Sequence, residues 1–257
     1  MNLKKIAFDC RLTVLDMVYE AKTGHIGGSF SCIDILISLY YQHLKPENRF
    51  ILSKGHCAEA LYAVLADKSI LPKEQLKTFA AFDTALAEHP TRKVPGVEFA
   101  TGALGHGLSV GVGMAIGLKN NTVYVLMGDG ELAEGSVWEA AMAASKYRLS
   151  NLVTIIDRNQ LQISGTTEDV MPLEDLAAKF RAFGWEVNYC GGHNFDEISQ
   201  AFQNSSSQKP LAVIANTIKG YGSSLMEGNA GWHHQIPTEQ QYQQIKAELI
   251  HRRDENA

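Results

Sequence analysis

Two short apolar runs end in polar residues whose chemistry is matched. Thr122 to Met127 leads straight into Gly128-Asp129-Gly130, and Leu152 to Ile156 leads into Asp157-Arg158-Asn159-Gln160. An Asp carboxylate and an Asn carbonyl are hard oxygen donors. With a diphosphate supplying further oxygens they suit octahedral Mg²⁺, an ion that rarely accepts an all-protein cage. Glycine on both sides of Asp129 lets the backbone come close to a phosphate, and a helix starting near Ser136 offers a positive N-terminus. The plain alternative is a tight turn holding an ordinary Asp, and these residues alone leave both readings open.

Four histidines sit in loops flanked by glycine or proline. They are His25 in Gly24-His-Ile-Gly-Gly28, His56 in Ser53-Lys-Gly-His56, His89 before Pro90, and His233 in Gly231-Trp-His-His234. Loops on a rigid scaffold concentrate binding and catalytic groups, and imidazole titrates near neutrality, which suits proton transfer. Loop histidines are also often merely solvated. His106 and His193 stay undecided, while His43 and His251, at helix ends among polar residues, are assigned no chemistry.

The surrounding elements must bring these residues together. Apolar positions Ile6, Val14, Leu15 and Val18 give a helical period over residues 3–20, and a glycine-rich loop is expected next. Further helices are expected over 31–41 and 59–67, with a short strand at 50–52 between them. Residues 90–101 read as a loop leading into a helix over 102–118. In that helix Gly107, Gly111 and Ala115 recur every four residues, and a face of small side chains lets a partner chain or a neighbouring helix approach closely. From residue 122 strands alternate with helices: strands at 122–127, 152–156, 185–189 and 211–215, helices at 136–147, 173–183 and 195–202. Residues 204–210 read as a surface turn.

Nearly continuous apolar strands mean that both sheet faces are covered, so the fold class is α/β, a parallel sheet sandwiched by helices. No linker or repeat interrupts residues 1–257, which read as a single domain. In such sheets ligands bind beyond the carboxyl ends of the strands, so Asp129 and Asn159 should share one crevice.

Composition excludes several classes. The chain has 257 residues, 45% hydrophobic and 20% charged, the proportions of a packed globular protein and not of a disordered one. Lys and Arg total 23 against 28 Asp and Glu, a net charge of −5, which argues against a nucleic-acid partner. No segment nears the roughly 20 apolar residues of a membrane span. Cys10, Cys32, Cys57 and Cys190 lack any C-x-x-C spacing, which fits reduced thiols and a cytoplasmic location. No G-x-x-x-x-G-K-[ST] is present, and the Gly111-x-Gly113 run lies inside a helix, so nucleotide binding is disfavoured.

Taken in order, the segments Gly24–Gly28, Ser53–His56, Pro95–Gly105, Gly128-Asp-Gly130 with Asn159, and Ile218–Gly222 resemble the N-terminal part of transketolases. The 28 residues between Gly130 and Asn159 resemble the diphosphate-binding motif of thiamine diphosphate enzymes. Two departures from the family pattern are Cys57, where a small residue is commoner, and His106, where Gln is frequent. Transketolases are more than twice this long, so the resemblance implies the N-terminal, diphosphate-binding subunit of a split transketolase.

The resemblance also assigns roles. It implies thiamine diphosphate with Mg²⁺, or Ca²⁺ as a substitute, the ion held by Asp129, Asn159 and the backbone carbonyl of Leu161. His56, Gly130 and His233 would contact the diphosphate, Gly102 and Leu104 the aminopyrimidine, and Ile163 the thiazolium. His25, His89 and His233 would face sugar phosphate substrates, and Glu134 would link the two active sites of a dimer. A C-terminal subunit carrying the pyrimidine-binding domain and its glutamate would complete the site, in an α2β2 assembly. The enzymes it leaves open include relatives of deoxyxylulose phosphate synthase and transketolases specific for sulfosugars or apulose phosphate. A non-catalytic subunit that only binds cofactor remains open as well.

Overall fold

The computed structural model describes residues 1–203 and 208–256. Of the turn expected over 204–210, residues 204–207 lie outside the described residues. The chain runs α1 (Leu3–Ala21), α2 (Ile26–Ser38), β1 (Arg49–Leu52), α3 (Ala58–Asp67), α4 (His106–Gly117), β2 (Val123–Gly128), α5 (Gly135–Lys146) and β3 (Leu152–Arg158). A two-residue hairpin, β4 (Leu161–Gln162) and β5 (Gly165–Thr166), precedes a single turn α6 (Thr167–Val170) and α7 (Leu176–Ala182). Then come β6 (Glu186–Gly191), α8 (Phe195–Ala201), β7 (Leu211–Asn216) and α9 (Glu239–Glu255).

The main sheet has the order β1-β2-β3-β7-β6, and every pairing in it is parallel. Alternate side chains of its strands enter two separate cores. Tyr124, Leu126, Val153, Ile155 and Val213 join the core beneath α1, α2, α3 and α8. Val123, Val125, Met127, Leu152, Ile156 and Ile214 join the core beneath α4, α5 and α7. Burial on both faces is why the strands read as unbroken apolar runs, and the three-layer α/β architecture is the expected one.

Several local expectations need correction. The glycine-rich segment after α1 is helical, because α2 starts at Ile26 and all thirteen of its residues are buried. Its glycines serve close approach instead of turning: a Cβ on Gly27 would stand 2.5 Å from the Trp232 carbonyl oxygen, and one on Gly28 would stand 2.9 Å from Cys57 Sγ. Helix α4 begins at His106 and not at Gly102, since Gly105 takes a left-handed φ of 83°. The small face of α4 is satisfied within the chain. A Cβ on Gly111 would meet Val125 Cγ2 at 2.6 Å, so Gly107, Gly111 and Ala115 lie against the sheet and are not a partner surface. Helix α9 is an addition to the expected elements. It packs on α1 through Ile245 and Leu249, and its capping box, Thr238 with Gln241, is the sequence signal that announces it.

Candidate active site

Beyond the carboxyl ends of β1, β2, β3 and β7 lies a cavity of about 330 Å³. Its walls include His56, His89, Gly102, Leu104, Asp129, Gly130, Asn159, Leu161, Ile163 and His233. His25 stands beside it, its ring 5.6 Å from that of His56, 5.8 Å from His89 and 5.6 Å from His233. Glu134 is apart from this group. It is the exposed N-cap residue of α5, with its side chain against Gly105.

Strands β2 and β3 pair up to Gly128 opposite Asp157, so Asp129 and Asn159 emerge side by side from neighbouring strand ends. Asp129 is only 2% exposed. Its carboxylate accepts from the backbone N–H groups of Gly130 (2.8 Å) and Gln160 (2.6 Å) and from the Arg158 guanidinium (3.1 Å). Burial, reinforced by Asp157, still raises its pKa above the ordinary value. A cation beside it would relieve that cost. The Asn159 side-chain oxygen accepts from Leu161 N–H at 3.0 Å, which fixes the amide with its nitrogen toward Ser31 and Asp157. A buried carboxylate, an oriented amide oxygen and the Leu161 carbonyl make an all-oxygen donor set. It fits a hard divalent ion that keeps part of its coordination for phosphate or water.

Beneath these groups lies an ion pair that sequence reasoning did not single out. Lys54 and Asp157, 1% and 0% exposed, are joined directly. Lys54 also donates to the Gly28 carbonyl at 3.3 Å, and Asp157 accepts from Ser31 (2.6 Å), Thr217 and Asn159. One buried carboxylate thereby ties α2, β3 and the segment after β7 together and sets the orientation of Asn159.

A second buried cation, Lys219, lies 2.9 Å from His233 Nδ1 and 3.5 Å from the Leu161 carbonyl. Burial, with the Lys54 charge adding, lowers its pKa to about 8. The same neighbourhood lowers His233 to about 3, through burial and then Lys219. His25 is lowered to about 4, chiefly by burial, and burial also lowers His89. The expectation that these imidazoles titrate near neutrality is therefore corrected for His25 and His233. Both are neutral at pH 7, ready to donate through one nitrogen and accept through the other.

The Gly102–Gly105 loop is held by Glu131, another buried residue missed from sequence. Its carboxylate accepts from the Gly105 N–H (2.9 Å), the Gly128 N–H (3.2 Å) and the Ser53 hydroxyl. Gly102 has a φ of 140°, and a Cβ there would press within 3.1 Å of the His89 ring. The undecided histidines lie outside the cavity. His106 is exposed at the start of α4, and His193 bridges Asp34 (2.6 Å) to the backbone N–H of Ile218 (2.9 Å). All four cysteines are free and buried, Cys57 among them. Lys54 and Lys219 stand inside the Ser53–His56 and Ile218–Gly222 segments, so a signal for both was present, although nothing in the sequence announced their burial.

Residues 3–255 match the family model described as transketolase, thiamine diphosphate binding domain. One of the relatives is a subunit of the apulose-4-phosphate transketolase of Phocaeicola vulgatus, 48% identical over 94% of this chain and 92% of its own length. The 6-deoxy-6-sulfo-D-fructose transketolase subunit SqwG of a Clostridium species is 41% identical over 97% of this chain and 96% of its own. The crystal structure of Campylobacter jejuni transketolase superposes with a TM-score of 0.90 at 32% identity, over 96% of this chain and 42% of that one. No helix among the described residues is long and apolar enough to cross a membrane. On the extent of these matches, the chain belongs to the transketolase family and corresponds to its thiamine diphosphate-binding domain.

Proposed function

We propose that this chain is the cofactor-diphosphate-binding subunit of a two-component transketolase, which moves a two-carbon ketol unit from a ketose phosphate to an aldose phosphate. The observation that carries the reading is one cavity lined by the oxygen donors of Asp129, Asn159 and Leu161 and by His56, His89 and His233, with the His25 ring within 5.8 Å of all three imidazoles. Thiamine diphosphate, when bound, would supply the carbanion chemistry that breaking a ketose carbon–carbon bond and re-forming one to the acceptor aldehyde requires.

The chain's own part is to hold, orient and protonate. Asp129, Asn159 and the Leu161 carbonyl would hold Mg²⁺, with Ca²⁺ as a substitute of the same hard-donor chemistry. Lys219, His56, His233 and the Gly130 N–H would take up diphosphate charge. Gly102 and Leu104 would flank the aminopyrimidine, and Ile163 the thiazolium. Neutral His25, His89 and His233 would donate to developing oxyanions on the sugar and accept hydroxyl protons in return.

A second subunit is part of the proposal. Ile163 lines the cavity and is 70% exposed, an apolar side chain that a covering domain would bury. Two relatives matched over nearly their whole length are named as transketolase subunits. The partner would bring the pyrimidine-binding domain and its glutamate, and two copies of each chain would form an α2β2 enzyme in the cytoplasm, with Glu134 facing the second site. The names of those relatives favour a variant of the same reading in which the sugar is apulose phosphate or a sulfosugar.

The test is to assay two-carbon transfer between a ketose phosphate and an aldose phosphate, with thiamine diphosphate and Mg²⁺, first with this chain alone and then with the candidate partner added. Activity is expected only in the mixture. Full activity of the rigorously pure single chain overturns the two-component reading.

A further inference from the structure

We propose that His25, Glu88 and His234 form a second cation site, separate from the Asp129 site and selective for an imidazole-preferring divalent ion such as Zn²⁺. One ligand atom from each of the three lies within 4.8 Å of the other two. His234 Nε2 is 3.4 Å and His25 Nδ1 is 3.9 Å from Glu88 Oε2, and the two imidazole rings are 4.6 Å apart. Donors bound to zinc at about 2.0–2.2 Å stand roughly 3.3–3.6 Å from one another in a tetrahedron. A small inward turn of His234, the most exposed of the three, closes the set.

The surroundings fix two of the three ligands in place. The His25 backbone N–H donates to Glu59 at 2.7 Å, which pins the start of α2. Thr23 donates its hydroxyl to Glu88 Oε1 at 2.9 Å and leaves Oε2 aimed at the histidines. His25 Nδ1 is buried yet has no hydrogen-bond partner, the mark of a lone pair or N–H without its intended neighbour. Two imidazoles and one carboxylate, with a fourth position open toward solvent, are a common protein set for Zn²⁺. Mg²⁺ and Ca²⁺ prefer all-oxygen donors and belong with Asp129 and Asn159.

Occupancy has a chemical consequence. With Nδ1 bound to the ion, the His25 proton is confined to Nε2, so the ring becomes a fixed donor and loses its freedom to change tautomer. Zinc at this position would also occupy space beside the cavity mouth.

The binding test does not depend on the proposed activity. The metal-free full chain is titrated with ZnCl₂ by calorimetry, and Co²⁺ is substituted to report the ligand types by its visible and near-ultraviolet spectrum. One saturable micromolar site is expected, with a spectrum lacking thiolate charge-transfer bands. It should be weakened by about 100-fold or more in His234→Ala and Glu88→Gln, beyond the roughly 10- to 100-fold that losing an outer-shell partner costs. Asp129→Ala should leave it unchanged. Circular dichroism of the two variants, both altered at partly exposed positions, checks that the fold is intact. Absence of saturable binding, thiolate bands, equal affinity in His234→Ala and Glu88→Gln, or loss of the site in Asp129→Ala each overturns the proposal.

Discussion

The ammonium of Lys219 and Nδ1 of His233 are 2.9 Å apart, and both groups are driven toward their neutral forms by burial. With His233 lowered to about 3 and Lys219 to about 8, the lysine carries the proton of this pair at pH 7 and donates to the imidazole. The positive charge beside the Leu161 carbonyl is thus one that can be titrated away just above neutrality.

A pH dependence follows with a definite sign. The charged form of Lys219 attracts an anionic diphosphate, and it is lost as pH rises through about 8. Affinity for thiamine diphosphate should therefore fall between about pH 7 and about pH 9, a bound anion moving the midpoint upward. Lys219→Gln should weaken binding at pH 7 by roughly 10- to 150-fold, the worth of a hydrogen bond to a charged group at about 1.5–3 kcal/mol. It should also flatten the profile above neutrality. Calorimetric titrations across that range check both, and an unchanged pH slope in the variant removes Lys219 from the diphosphate site.

The sequence made the scaffold of this site legible through its strands. Apolar runs such as Val123–Met127 and Leu152–Ile156 are covered on both faces, so their ends, and hence Asp129 and Asn159, could be placed side by side from the residues alone. The first turns of α2 were illegible because Gly27 and Gly28 read as turn residues. What they answer to is the Trp232 backbone and Cys57, contacts distant in sequence. Lys54, Glu131, Asp157 and Lys219 were hidden for the same reason. A charged residue is ordinarily a surface residue, and only tertiary pairing, such as Glu131 with the N–H groups of Gly105 and Gly128, reveals that it is buried.

Removal of Asp129 should separate cofactor binding from folding. In Asp129→Ala the Arg158 guanidinium keeps its bonds to Glu168 (2.8 Å) and Thr167 (2.7 Å), so it is not stranded. The carboxylate that disappears is one whose burial opposes its own charge. The variant should therefore unfold near the wild-type temperature while Mg²⁺-dependent binding of thiamine diphosphate is lost. Calorimetry with and without Mg²⁺ decides the matter: wild-type affinity in the presence of the ion sinks the metal assignment.

Lys54 makes the opposite prediction, because its role is to compensate a charge that cannot leave. Asp157 is fully buried and its other partners, Ser31, Thr217 and Asn159, are neutral donors. Lys54→Met keeps an unbranched apolar stem, removes the ammonium and strands that carboxylate. Breaking a buried pair in this way costs about 3–5 kcal/mol, a large share of the roughly 5–15 kcal/mol that holds a domain folded. The double variant Lys54→Met with Asp157→Asn removes both charges, lets the amide oxygen accept from Ser31 and sets the amide nitrogen to donate to the Thr217 hydroxyl, so much of the loss should return. Denaturant unfolding of the wild type and the three variants gives the coupling. If the double variant is as unstable as the sum of the two single ones, the pair is not acting as a unit, and the orientation of Asn159 must be sought elsewhere.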